Sequence, residues 1–241
     1  MVSSSWWMPF CRLSSAPLIL SADLPVLLVH GYGCNSGFWR PLSRYLQHTG
    51  ISHHAVTLEP VLGSIDDYGL QIGAAIDLLC RAAGQDRVIV VAHSMGGLVL
   101  RAYSSAHGRE RIARLITLGT PHHGTTLARY GTGINARQMC WMHHPAQRER
   151  SSWLSELHAR EHADERGYLT SIYSNHDNIV APAQSAHLDG ACNIAFDGIG
   201  HVALGSDRRV IDCVIDCVID AIHAAAEPAP RGTPDSRKPP R

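Results

Sequence analysis

From residue 25 onward, short runs rich in β-branched residues alternate with longer stretches whose apolar positions recur at helical spacing. Strands and helices that alternate in this way build βαβ units around a parallel sheet. Val26-Leu27-Leu28-Val29 is apolar throughout, as expected of a strand covered on both faces, and it enters the glycine-rich turn His30-Gly31-Tyr32-Gly33. The pattern then predicts a helix over 38–47 stopped by Gly50, a strand over 54–58, and a helix from Ser64 to about Ala83. Ser64 with Asp67 three residues later can satisfy the free N–H groups of a helix start, and Gly84 marks the stop. The most strand-like run, 87–92, ends at His93-Ser94-Met95-Gly96-Gly97 and passes into a helix carrying Leu98, Leu100, Ala102 and Tyr103. Further strands are predicted at 114–118, 169–174 and 191–196, and a last helix at about 208–225.

These elements place one α/β domain over 25–226, between an N-terminal extension (1–24) and a disordered Pro- and Arg-rich tail (227–241). In the last helix Asp212, Asp216 and Asp220 fall on one stripe. That is a solvated edge, where like charges cost only about 0.2–0.5 kcal/mol per pair, and Cys213 and Cys217 beside it are packing residues. The extension holds Trp6, Trp7, Met8 and Phe10 and the apolar run 16–20, without a basic segment before it and with Arg12 and Pro17 inside it. It is too short and broken for a membrane span or a signal peptide, and a peripheral anchor or a leader remnant stays open.

A chain of 241 residues buries one sizeable core. Its 21 basic side chains balance its 21 acidic ones, so no net field recruits nucleic acid or an anionic membrane. The 16 histidines include the pairs His53-His54, His122-His123 and His143-His144, but no metal-ligand spacing accompanies them. They predict a chain that turns cationic below about pH 6.5. The seven cysteines are scattered without a disulfide framework. Cys80, Cys192 and Cys213 sit in apolar stretches and read as buried thiols, which favours a reducing, cytoplasmic setting.

Ser94 stands where a buried strand turns sharply into a helix. Such a turn lifts a hydroxyl clear of the sheet and demands small residues two positions to either side; here these are Ala92 and Gly96, alanine replacing the usual glycine. A neutral serine needs a base, and the base an orienting partner. His201 follows the last strand in the Gly198-Ile199-Gly200 turn and fits the base. Of Asp164, Glu165, Asp177, Asp189 and Asp197, Asp177 fits the acid best because it follows a strand end, where loops gather at the carboxyl edge of a parallel sheet. Asp197 is the runner-up. The backbone N–H groups of Met95 and Tyr32 are the expected oxyanion donors, each worth about 2.7–4 kcal/mol of barrier.

The set VLLVHGYG, AHSMGG, TLGTPHHG, YSNHDNIV and GIGH resembles the bacterial lipase/esterase branch of the α/β-hydrolases, near small triacylglycerol lipases and PGAP-like deacylases. The resemblance covers about residues 25–222. It implies an α/β-hydrolase fold, a mostly parallel sheet flanked by helices. It further implies Ser94, Asp177 and His201 as a triad, Tyr32 and Met95 as oxyanion donors, and a lid or cap over 125–166, inserted after the position equivalent to that fold's sixth strand. The AHSMG elbow is similar to that of minimal bacterial lipases, in keeping with Ala92. The implied reaction is hydrolysis of a small-molecule ester or lipid through an acyl-enzyme, with no cofactor and no metal. Thioesterase, acyltransferase, lipid-deacylase and non-catalytic binding functions share the same framework. Met139, Trp141, Met142, Trp153 and Leu157 suit either an exposed acyl pocket or interfacial lid, or a second packed cluster.

Overall fold

The structure is a computed structural model that describes residues 12–144, 147–161 and 163–226. The expected disordered tail and the aromatic stretch at 6–10 lie outside the described residues. Six strands form the central sheet: β1 (Val26–Val29), β2 (His53–Val56), β3 (Val88–His93), β4 (Ile112–Leu118), β5 (Leu169–Ser174) and β6 (Cys192–Phe196). Their order is β2-β1-β3-β4-β5-β6, and every pairing is parallel. The helices are α1 (Arg40–His48), α2 (Gly69–Ala83), α3 (Met95–His107), α4 (Ile134–Gln138), α5 (Ser152–Arg160) and α6 (Arg208–Ala226).

Side chains alternate across the strands and split the core into two layers. Leu27, Val29, Val88, Val90, Ala92 and Leu115 meet the buried faces of α2, α3 and α5. Val26, Leu28, Ile89, Val91, Ile116 and Ile172 meet α1 and α6. With both faces covered, β1 and β3 are buried at every position. The edge strand β6 is not: Cys192 is exposed, contrary to the sequence expectation, because among the described residues this strand is last in the sheet order and pairs on one side alone. Cys80 is buried, Cys213 is half-buried, and all described cysteines are free thiols. Asp212, Asp216 and Asp220 are exposed as expected. Among the described residues no helix is long and apolar enough to cross a membrane.

Two helix starts differ from the expectation. The segment before α1 is a short 3-10 turn, Ser36–Trp39, capped by the Asn35 side chain accepting from Gly37 N–H. Ser64 precedes a 3-10 turn, Asp66–Tyr68, rather than α2, and its hydroxyl accepts from Asp66 N–H (3.3 Å). Its hydroxyl also accepts from the amide of Gln138, 74 residues away in sequence.

The segment at 125–166 lies between β4 and β5. It comprises a 3-10 turn (Thr126–Tyr130), α4, an antiparallel hairpin (Trp141–His144 with Gln147–Arg150) and α5. Of the two readings left open for this stretch, the described side chains favour the packed cluster: Met139, Leu154 and Leu157 are buried against the α2–α3 layer, with Trp153 packed beside them. Exposed apolar side chains occur instead at Leu127, Tyr130 and Ile134. An ion cluster secures the far end of the segment. Glu161 accepts from Nε and Nη2 of Arg101 on α3 (3.0 and 2.6 Å) and from Nη2 of Arg166 (3.0 Å). Burial alone would raise the Glu161 carboxyl, but the two guanidinium groups outweigh it and hold it below its ordinary range.

The histidines also depart from expectation. His30, His53, His54, His93, His122 and His201 are buried. Burial is the main cause that pushes His30, His123 and His158 down to about 4, and that lowers His53, His54, His93 and His122. At His30 the reason is visible. Leu58 N–H donates to Nε2 (2.9 Å), so the proton sits on Nδ1 and points to Gly31 O (2.8 Å). A second proton would break the first bond. His30, His123 and His158 therefore stay neutral from pH 6.5 down to about 4, and burial disfavours the charged form at His53, His54, His93 and His122 as well.

Two outcomes follow. Arg101 is 1% exposed, so Glu161→Ala strands its guanidinium in the interior. Denaturant unfolding should show a loss of about 3 kcal/mol; a loss below about 1 kcal/mol would contradict this role. The unfolded chain takes up protons on histidine near 6.5, while His30 in the folded chain does not until about 4. Acidification across that window favours unfolding, and His30 alone accounts for about 3 kcal/mol of stability lost by pH 4. Unfolding midpoints measured from pH 7 to pH 4 should fall steeply; a flat profile would contradict the buried neutral rings.

Candidate active site

All six strands run the same way, so the loops after β1, β3, β5 and β6 meet at one edge of the sheet. Ser94 occupies the turn from β3 into α3 with φ 54° and ψ −125°. Among the described residues it is the only non-glycine residue with positive φ. Its N–H donates to Leu118 O (2.9 Å), and its carbonyl accepts from Gly97 N–H (3.1 Å) and the Thr120 hydroxyl (2.9 Å). The turn leaves no room for larger neighbours. A Cβ on Gly96 would lie 2.7 Å from the carbonyl oxygens of Val29 and His30, and one on Gly97 would strike Thr120. Ala92, the departure from the usual glycine, is fully buried within β3, paired with Val29 and Thr117.

His201, in the turn after β6, brings Nε2 to 3.0 Å from Ser94 Oγ and Nδ1 to 2.8 Å from Asp177 Oδ2. A carboxylate only accepts, so the proton lies on Nδ1 and the Nε2 lone pair faces the serine hydroxyl. The other oxygen of Asp177 accepts the N–H groups of Ile179 and Val180, each at 2.8 Å. The His201 and Asp177 side chains are only 5% and 2% exposed. Asp197, the alternative acid, points to solvent, where Asn175 Nδ2 donates to it at 3.0 Å and His176 lies 3.5 Å away. Asp189 is likewise turned outward beside His187.

The turn after β1 lies directly against the serine: a Cβ on Gly31 would sit 2.8 Å from Ser94 Cβ. Among the described residues the backbone N–H groups of Tyr32 and Met95 have no acceptor. The His30 ring fixes this turn through the bonds already described. Tyr32 adds a tie that its sequence position did not signal. Its hydroxyl donates to Thr132 O (2.8 Å) and accepts from Thr132 N–H (3.0 Å), joining the turn to the 125–166 segment. Thr120 lies within the TLGTPHHG motif, but nothing in the sequence signalled its bond to the Ser94 carbonyl. Among the described residues no group of three or more His, Cys, Asp or Glu side chains is placed to hold a metal ion.

Comparison with known proteins agrees with this architecture. The alpha/beta hydrolase fold family matches residues 25–139. A triacylglycerol lipase of Burkholderia plantarii is 30% identical over 132 residues, 48% of this chain and 36% of that protein. A triacylglycerol lipase of Pseudomonas fragi is 35% identical over 112 residues, 43% of this chain and 36% of that protein. The matched stretch thus spans about a third of these relatives. Among solved structures, the mature lipase BlEst2 of Bacillus licheniformis superposes with a TM-score of 0.69 at 17% identity, covering 82% of this chain and 92% of that one. Aspergillus fumigatus lipase B gives 0.67 at 18% identity, covering 86% and 55%. At that identity the likeness is one of fold. The chain has the α/β-hydrolase fold, matches that family over residues 25–139, and is similar to bacterial lipases over somewhat less than half its length.

Proposed function

We propose that this protein hydrolyses carboxylic esters by acyl transfer through Ser94. The observation that carries this reading is the unbroken path from Ser94 Oγ to His201 (3.0 Å) and on to Asp177 (2.8 Å) at a strained strand-to-helix turn. In the first step Ser94 Oγ attacks the carbonyl carbon while its proton passes to His201 Nε2. Asp177 stays ionised, holds the ring in the required tautomer and stabilises the imidazolium. The oxyanion of the tetrahedral intermediate lies between the N–H groups of Tyr32 and Met95. His201 then gives its proton to the departing alcohol oxygen, leaving an acyl group on Ser94. Water attacks that group, loses a proton to His201, and the acid leaves as the proton returns to Ser94.

An apolar substrate is supported by the side chains around this edge. Val202 follows His201 and is 44% exposed; Ile179, close behind Asp177, is 40% exposed. Leu62 and Ile134, also exposed, are joined by a bond from Ile134 N–H to Leu62 O (3.1 Å). These residues suit an ester with an apolar acyl chain, in line with the lipases named above. The hydrolase unit in this reading is 25–226, and the 125–166 segment forms one wall of its mouth.

With a soluble nitrophenyl ester, Ser94→Ala and His201→Ala should each lose about 10⁴-fold or more in kcat, and Asp177→Asn about 10⁴-fold. A fluorophosphonate probe should label Ser94 in the wild type. Undiminished hydrolysis by Ser94→Ala would end the proposal. Gly31→Ala pushes the Tyr32 amide away from Ser94 and should lower kcat by about 10²-fold at similar KM; an unchanged kcat would remove Tyr32 from the oxyanion site.

A further inference from the structure

The ring of His201 is aimed by Asp177, but its main chain sits in a turn between β6 and α6, outside both elements. Gly198 in that turn has φ 74°. We propose that His93 and Asn178 are positioning residues that clamp the His201 backbone from both sides and so hold its imidazole against Ser94. This rests on the ester-hydrolase reading above. Asn178 Oδ1 accepts the His201 N–H at 3.0 Å, and His93 Nε2 lies 3.2 Å from the His201 carbonyl oxygen. A carbonyl only accepts, so Nε2 of His93 carries the proton. The clamp draws one residue from beside each of the other two triad members: His93 precedes Ser94, and Asn178 follows Asp177.

The surroundings of His93 fit this purpose. The ring is 2% exposed and stacks on Phe38 at 4.3 Å with 26° between planes. It lies 4.7 Å from the His201 ring. Phe38 in turn packs against Gly205, in the turn that follows His201, where any Cβ would strike its ring. His93 Nδ1 is buried without a partner, so the Nε2 bond to the His201 carbonyl is the polar contact this side chain makes. Leaving one buried nitrogen unsatisfied carries a desolvation cost that a purely apolar residue stacked on Phe38 would avoid. Burial, and next the adjacent His201, depress the protonation of His93. The neutral ring therefore puts no positive charge beside the imidazolium that forms on His201.

Four variants test the clamp, each assayed with a nitrophenyl ester and checked for fold by circular dichroism and thermal midpoint. His93→Leu keeps an apolar body without the donor, and His93→Gln restores an N–H near the Nε2 position. Asn178→Ala removes the acceptor from an exposed side chain, so it tests the clamp even where His93→Leu does not fold. Asn178→Asp keeps the acceptor. His93→Leu and Asn178→Ala should each lower kcat by about 10- to 100-fold with KM within about 3-fold, and His93→Gln and Asn178→Asp should recover most of the loss. The fluorophosphonate probe should still label Ser94 to completion in every variant, more slowly in the two deletions. Unchanged kcat in Asn178→Ala, or equal kcat in folded His93→Leu and His93→Gln, would overturn the clamp. Loss of the wild-type labelling itself would instead overturn the ester-hydrolase reading.

Discussion

The candidate site depends on how closely the start of α3 can approach the ends of β1 and β4. Gly96 packs its backbone onto the carbonyls of Val29 and His30, and Gly97 packs onto Thr120. This approach forces Ser94 into a conformation that costs about 1–3 kcal/mol for a residue with a side chain. It persists because Leu118, Gly97 and Thr120 all bond the Ser94 main chain. The strain places the hydroxyl at the sheet edge and goes with the close contact of the Gly31 turn. Relaxing either would misalign the other.

Much of this frame could be read from the sequence because its causes are local. β1 and β3 are covered on both faces and are therefore apolar throughout; the small residues around Ser94 are required by the turn itself. The departures have long-range causes. Cys192 looks buried in its own run, but β6 lies at the sheet edge, and only the strand order reveals that. Asp177 and Asp197 both follow strands and both sit among turn residues. The fold turns one towards His201 and the other towards solvent. Nor does the spacing of the histidines reveal that Leu58 N–H occupies His30 or that Phe38 stacks on His93.

The 125–166 segment was least legible for the same reason. Its regular elements are short, and its anchors are contacts with distant parts of the chain. Gln138 accepts from Ile65 N–H (2.8 Å), Asn135 Nδ2 donates to Val61 O (2.9 Å), and Trp153 Nε1 donates to Asp66 (2.7 Å). Together with the buried Met139, Leu154 and Leu157 and the Arg101–Glu161 pair, these bonds make the segment a fixed wall against the β2–α2 connection. The same wall is tied to the turn after β1 through Tyr32 and Thr132. In the proposed reading, one stretch of chain therefore both lines the mouth and braces the turn beside Ser94.

The most direct test of the central claim is a crystal structure of the protein after reaction with an alkyl fluorophosphonate. The account predicts a covalent bond to Ser94 Oγ with the phosphonyl oxygen about 2.7–3.1 Å from the amide nitrogens of both Tyr32 and Met95, and His201 still bonded to Asp177. An adduct on another residue, or a phosphonyl oxygen turned away from both amides, would contradict it.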